Sequence, residues 1–240
     1  LRSTVTVLAS AKSSTIRTAG GNYNGIHLRA PTTFDVADGD AADDLVISAA
    51  LLDMDAGNPG AGALLKTGAG TMLRTGANTY TGGTTVSAGR LKGPAGSIQG
   101  NVSLTDSNAI LTFDQADSGT FAGNVSGIGR LTKTGAATVT FTGVNSYSGG
   151  TTISSGTLQA AKPSALAAYT AAGKISVAQG ASLAVNVGGT GEWNTTETDD
   201  IANLLAANGG GFVSGSLLGI DTTNAPGSKF TYSNSMDGPQ

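Results

Sequence analysis

The residues of this chain best equipped for chemistry are its aspartates. Of its 16 acids only Glu192 and Glu197 are glutamate, and seven aspartates crowd into "DVADGDAADD" (Asp35 to Asp44) and "DMD" (Asp53, Asp55). Clustered carboxylates offer two chemistries. As hard oxygen donors they suit Ca²⁺, with Asp40, Asp43 and Asp44 as the ligands to expect. As an acid–base pair beside a cation, Asp35 and Asp38 with Arg29 could cleave a polysaccharide. Neither spacing matches a known site: the run is not an EF-hand loop, and "GGNYNG" (Gly20 to Gly25) is not the glycine–aspartate nonapeptide that binds calcium. Asp35 and Asp38 also recur further on, as Asp114 and Asp117 in "TFDQAD", which favours a turn role. The lone His27, in "GIHLRAP", alternates with Ile26 and Leu28 and reads as a surface residue. Without cysteine, and without a GxSxG or SxxK pattern, the chain shows no machinery for covalent catalysis. No enzymatic activity and no cofactor are expected.

The composition describes what must position these groups. Charged residues make up 12% of the 240, half the usual share, while 37 are glycine, about double the norm. Aspartate in place of glutamate suits turns and disfavours helix interiors. The net charge of −3 and scattered Lys and Arg exclude a phosphate-backbone partner. No apolar run is long enough to cross a bilayer, and the opening "LRSTVTVLAS" does not read as a signal peptide. The chain lacks an initial Met, so it reads as a mature or excised piece. The absence of cysteine fits a cytosolic protein and equally a bacterial protein that must stay unfolded during export.

A repeat dominates the chain. Lys66 to Leu91, "KTGAGTMLRTGANTYTGGTTVSAGRL", aligns without a gap to Lys133 to Leu158, "KTGAATVTFTGVNSYSGGTTISSGTL", 67 positions later, with 16 of the 26 pairs identical. Upstream, "TFDVAD" (Thr33 to Asp38) answers "TFDQAD" (Thr112 to Asp117), but the first copy spends twelve more residues before its lysine. Alternating apolar and hydroxyl residues between glycine pairs predict strands of four to six residues joined by tight corners. Short strands, glycine corners and β-branched interiors predict an all-β fold, a parallel β-helix. At about 22 residues per rung the two copies should lie three rungs apart, with equivalent residues stacked about 14 Å from each other, in a solenoid of some ten or eleven rungs. A motif that recurs with each unit is a fold determinant more readily than an active site, which needs to exist once. Asn78 and Asn145 are therefore expected to bond backbone inside a corner, Tyr80 and Tyr147 to cover a strand edge, and the glycine pairs to bend the chain.

On these residues the chain resembles the autotransporter-associated β-strand repeat, or passenger-associated transport repeat. The first copy carries Gly62, Leu64, Lys66, Gly68, Gly70, Thr71, Gly76, Asn78, Tyr80, Gly82, Gly83, Thr84, Val86, Gly89 and Leu91. The second carries Gly129, Leu131, Lys133, Gly135, Gly143, Asn145, Tyr147, Gly149, Gly150, Thr151, Ile153, Gly156 and Leu158, departing at Ala137 and Ser146. The resemblance covers the two copies directly, and the connectors share only their style. It implies a right-handed parallel β-helix (solenoid), the passenger of a secreted or cell-surface protein of a Gram-negative-type bacterium, outer-membrane associated. Its repeats would aid export and folding, and it transfers no catalytic residue. A structural or adhesive role follows, with surface glycans or a host or neighbouring cell as partner. The density of Thr, Ser, Asn and Tyr keeps a glycan-binding module as the alternative.

Residues 1–240 read as one such segment, with repeats at 62–91 and 129–158. One stretch breaks the pattern: "TETDDIANLLAANGG" has Thr198 as a cap, Ile201, Leu204 and Leu205 at helical spacing, and Asn208 with Gly209 as a stop. It predicts a short helix at 198–207 over the flank or open end of the β-helix, with Trp193 packed beside it. Uncovered end rungs would expose unpaired strand edges and invite end-to-end self-association.

Overall fold

The computed structural model describes residues 4–18, 25–28, 31–54, 60–194 and 200–229. Among these, the chain is mostly β, with all paired strands parallel. Six strands form one sheet in the order Val5–Val7, Pro31–Val36, Ala63–Thr67, Thr84–Val86, Val102–Leu104, Val125–Gly127. The largest sheet stacks eight: Ser14–Ile16, Leu45–Ile47, Thr71–Arg74, Arg90–Gly93, Ile110–Asp114, Arg130–Thr134, Thr151–Ile153, Ile175–Val177. A third has five: Gly119–Phe121, Thr138–Phe141, Thr157–Ala160, Ser182–Asn186, Leu217–Asp221. Ile26–His27 and Leu51–Leu52 form a small separate pair. The chain visits the sheets in turn and returns to lie beside its previous pass, an arrangement consistent with a β-helix.

The register sets the length of each circuit. On the largest sheet Ser14 pairs with Leu45, Leu45 with Met72 and Thr151 with Ile175, circuits of 31, 27 and 24 positions, and the seven circuits from Ser14 to Ile175 average 23, close to the expected rung. Between the copies the circuits are shorter: Met72 pairs with Leu91, Leu91 with Leu111, Leu111 with Leu131 and Leu131 with Thr151, each after nineteen or twenty positions. Three such circuits fall short of the 67 positions between the copies, and the remainder carries the second copy onto the next sheet. Starting at Lys66, three circuits along the six-stranded sheet lead through Val86 and Leu104 to Gly127, whereas Lys133 lies on the eight-stranded sheet. The copies are thus turned by one sheet rather than stacked in line, and among the described residues the longest stack has eight strands.

Alternate residues of each strand point inward, and the core is a set of stacked rows. One runs Phe34, Lys66, Val86, Leu104; another Phe113, Lys133, Ile153, Val177. All eight are fully buried, two lysines included.

The helix spans Asp200–Asn208; Thr198, the expected cap, lies outside the described residues. Ile201 and Leu204 are buried, and Asn208 closes the helix onto the preceding circuit. Its Oδ1 accepts from the backbone N–H groups of Lys174 and Ile175, each at 2.9 Å, and its amide donates to Tyr169 O and Leu204 O. After the helix the winding resumes, with Phe212 bridging to Val177 and Leu217–Asp221 pairing with Ser182–Asn186. Trp193 is buried, donates Nε1–H to Ala160 O at 3.0 Å and meets Tyr169 edge-on at 4.9 Å.

Candidate functional site

The repeat builds the same corner twice. Lys66 runs its stem along the core and turns its ammonium back into three carbonyls, those of Thr67 at 2.7 Å, Gly68 at 2.7 Å and Ala88 at 3.3 Å. Lys133 does the same with Thr134 at 2.6 Å, Gly135 at 2.8 Å and Ser155 at 3.2 Å. Burial lowers both lysines to about 8, opposed by Asp35 and Asp44 near the first and by Asp114 near the second. Three acceptors match the three donors of an ammonium, while a neutral amine has only two, so the cage favours the charged form at pH 7. The glycines make room for it. Gly68 and Gly135 sit at φ 71° and 77°, and a Cβ on either would lie 2.3 Å from the carbonyl oxygen of Val36 or Gln115 in the circuit below.

The remaining motif side chains tie circuits together. Asn145 accepts Val125 N–H at 2.7 Å and donates to Ala165 O at 2.6 Å, spanning three levels; Asn78 likewise accepts Leu51 N–H at 2.7 Å and donates to Ser97 O. Tyr80 and Tyr147 do not cover an edge. They point into the core, each hydroxyl 2.6 Å from the Oγ1 of a buried threonine, Thr84 or Thr151, and that bond offsets the cost of burying the hydroxyl. Of the glycine pairs, Gly83 and Gly150 carry the positive φ; Gly82 and Gly149 lie against the carbonyls of Gly62 and Gly129. Gly76, Gly89, Gly143 and Gly156 abut carbonyls of the circuit below in the same way.

One pair breaks the symmetry. Arg74 occupies the position that Phe141 holds in the second copy. Phe141 joins Phe113 and Phe121 in an aromatic cluster with centroids 4.9 to 5.8 Å apart. Arg74 is also buried, donates from Nη2 to Asn78 Oδ1, and leaves Nε and Nη1 without a partner. Burial lowers it to about 10. Motif spacing does not single this residue out, although it is the one place in the repeat where a charge aligns with an aromatic ring.

The acids are dispersed among separate tasks. Asp35 and Asp114 each accept Thr Oγ1 of the next circuit at 2.9 Å, from Thr67 and Thr134 respectively. Asp38 and Asp117 are exposed, and Arg29 lies outside the described residues. Asp44 is buried and clamps Gly39 N–H and Thr71 N–H, both at 2.8 Å. Asp43 pairs with Lys92 at 3.3 Å, while Asp40 is exposed. Among the described residues no three potential ligands converge on a metal-sized site, so Asp40, Asp43 and Asp44 do not form the calcium cluster considered from sequence. Asp44 is spent on backbone N–H groups and Asp43 on a lysine. Asp53, with no sequence counterpart, ties the first copy together by accepting Gly62 N–H, Thr81 N–H and Thr81 Oγ1–H. Burial opposes its charge, but these bonds prevail and lower its pKa. Asp55 lies outside the described residues. His27, half-buried, sits with Nδ1 2.7 Å from Asp53 O.

The site is thus a repeated structural corner in a parallel-stranded repeat protein. The profile of the passenger-associated transport repeat matches two segments of the chain, residues 64–92 and 131–160. It is similar to the adhesin BmaC autotransporter of Brucella suis biovar 1 (strain 1330), 34% identical over 173 residues, which is 58% of this chain and 5% of that protein. The chain therefore spans only a small part of the relative's length. No solved structure matches it. No helix among the described residues is long and apolar enough to cross a membrane.

Proposed function

We propose that this chain is a right-handed parallel β-helix, a non-enzymatic, adhesive passenger segment of an autotransporter-like protein on the surface of a Gram-negative-type bacterium or secreted from it. The observation that carries the reading is the direction of the motif side chains. Lys66, Asn78, Tyr80 and Thr84, like Lys133, Asn145, Tyr147 and Thr151, are all buried, and their polar atoms bond the chain itself. The motif thereby carries its own fold instructions and leaves the outer faces for display. Its tie between successive circuits supports a role in folding one rung on the last as the chain emerges from export. Similarity to an adhesin supports the adhesive half.

The test is a parent protein lacking residues 129–158, compared with the intact one for surface display by protease accessibility on whole cells and for attachment to a host-cell layer. Display and folding should both fall. Unchanged display would sink the folding role, and unchanged attachment after removal of residues 1–240 would sink the adhesive one.

A further inference from the structure

The outer surface of the eight-stranded sheet is grooved on both sides of Arg90. Two depressions of about 560 and 540 Å³ meet there, sharing Thr71 and Arg90. One extends to Asp106 and Asn108; the other to Asp43, Lys92 and Asp114. Asp43 lies in the interval that is twelve residues longer in the first copy than in the second. Charges alternate across it. Lys92 Nζ stands 3.3 Å from Asp43 and 3.5 Å from Asp114, while Arg90 donates Nη1–H to Thr112 Oγ1 at 2.8 Å.

We propose that this groove binds a neutral oligosaccharide, a reading that rests on the adhesive role above and names its ligand class. A sugar hydroxyl donates and accepts at once, so neighbouring hydroxyls are best met by a carboxylate beside a cation. Asp43, Lys92 and Asp114 offer that sequence, with Arg90 and Asn108 as further donors. Two cations against three carboxylates leave the groove negative, which disfavours a uronic or sialic acid. The depression at Lys92 is lined mostly by polar side chains, whereas Ala69, Ala88 and Ile110 give the other an apolar flank. The strands hold Arg90, Lys92 and Asp114 in register without a ligand, and an ion pair ties Asp43 to Lys92, so little ordering of these groups is required on binding.

The experiment is titration of the purified chain with neutral and uronic-acid oligosaccharides of equal length, alongside Arg90→Ala, Asp43→Asn and, as a control on the five-stranded sheet, Gln159→Ala. Circular dichroism confirms that each variant is folded. We expect neutral chains to bind, with about tenfold weaker affinity in each groove variant, as loss of a charged hydrogen bond implies, and no change in Gln159→Ala. Equal affinity in all variants, preference for the acidic chain, or no binding of any neutral chain would each overturn the groove. Surface display of the parent is read separately: display without saccharide binding removes the groove alone, and loss of display removes the passenger reading.

Discussion

The two copies of the repeat make the same corner from different surroundings. The lysine cage measures 2.7, 2.7 and 3.3 Å in the first copy and 2.6, 2.8 and 3.2 Å in the second. Each tyrosine meets its threonine at 2.6 Å, although one copy enters on the six-stranded sheet and the other on the eight-stranded one. The corner is therefore local chemistry that fits any side of the coil. The copies differ where a side chain reaches beyond the corner. Phe141 completes an aromatic cluster, whereas Arg74 places a charge, its Nε and Nη1 unpartnered, in a buried position. The circuits differ too. Around the second copy Leu111, Leu131 and Thr151 mark even turns, while the turn from Phe34 to Lys66 in the first is over half as long again.

The contrast is sharpest at the exchanged pair. Phe141→Arg should cost about 4 kcal/mol, combining lost ring packing with an unpaired buried charge, whereas Arg74→Phe should stabilise by about 1 to 3 kcal/mol. Denaturant unfolding measures both, and equal effects would mean that the two interiors are equivalent. The corners should instead behave alike. Gly68→Ala and Gly135→Ala each combine a positive φ with a clash against backbone, and each should lose about 3 kcal/mol; a tolerated substitution at either would break the equivalence. Next come the asparagines. Asn145→Ala strands Val125 N–H and Ala165 O and should cost about 2 kcal/mol, and Asn78→Ala, stranding Leu51 N–H and Ser97 O, about the same.

A further effect is on pH dependence. The caged lysines sit at about 8, below the 10.5 of the unfolded chain, so between these values the unfolded state holds more protons and stability rises with pH. Tyr80, Tyr147 and Tyr169 act in the opposite sense. Burial raises each above 10.0, Tyr169 to about 12 with help from Asp200, so the unfolded chain loses its phenol protons first and stability falls above pH 10. Thermal unfolding should climb from pH 8 and turn over near 10. The climb should vanish in the Lys66→Met, Lys133→Met double variant; its survival there would place its origin elsewhere.

Much of the fold was legible because its causes are local. Glycine pairs mark corners, alternation marks strands, and Ile201, Leu204 and Asn208 mark a helix by their spacing. The average rung was legible, but its spread from nineteen to 31 positions was not, because the length of each circuit depends on which segments loop out between strands, and spacing does not reveal that. Tyr80 and Tyr147 escaped for a related reason: a tyrosine suits an edge or an interior, and only the threonine four residues on, turned inward by the strand, decides between them.

The sequence by itself determined that this is a repeating, parallel-stranded chain without a thiol, because periodicity, glycine corners and a missing residue type are properties of the linear order. Only the tertiary structure decided the rest. It turned the second copy by one sheet, sent the clustered aspartates to different partners, and set Asp43 beside Lys92 of a later circuit to line a groove. Those outcomes depend on which circuit lies beside which, and that follows from summed corner geometry over many residues.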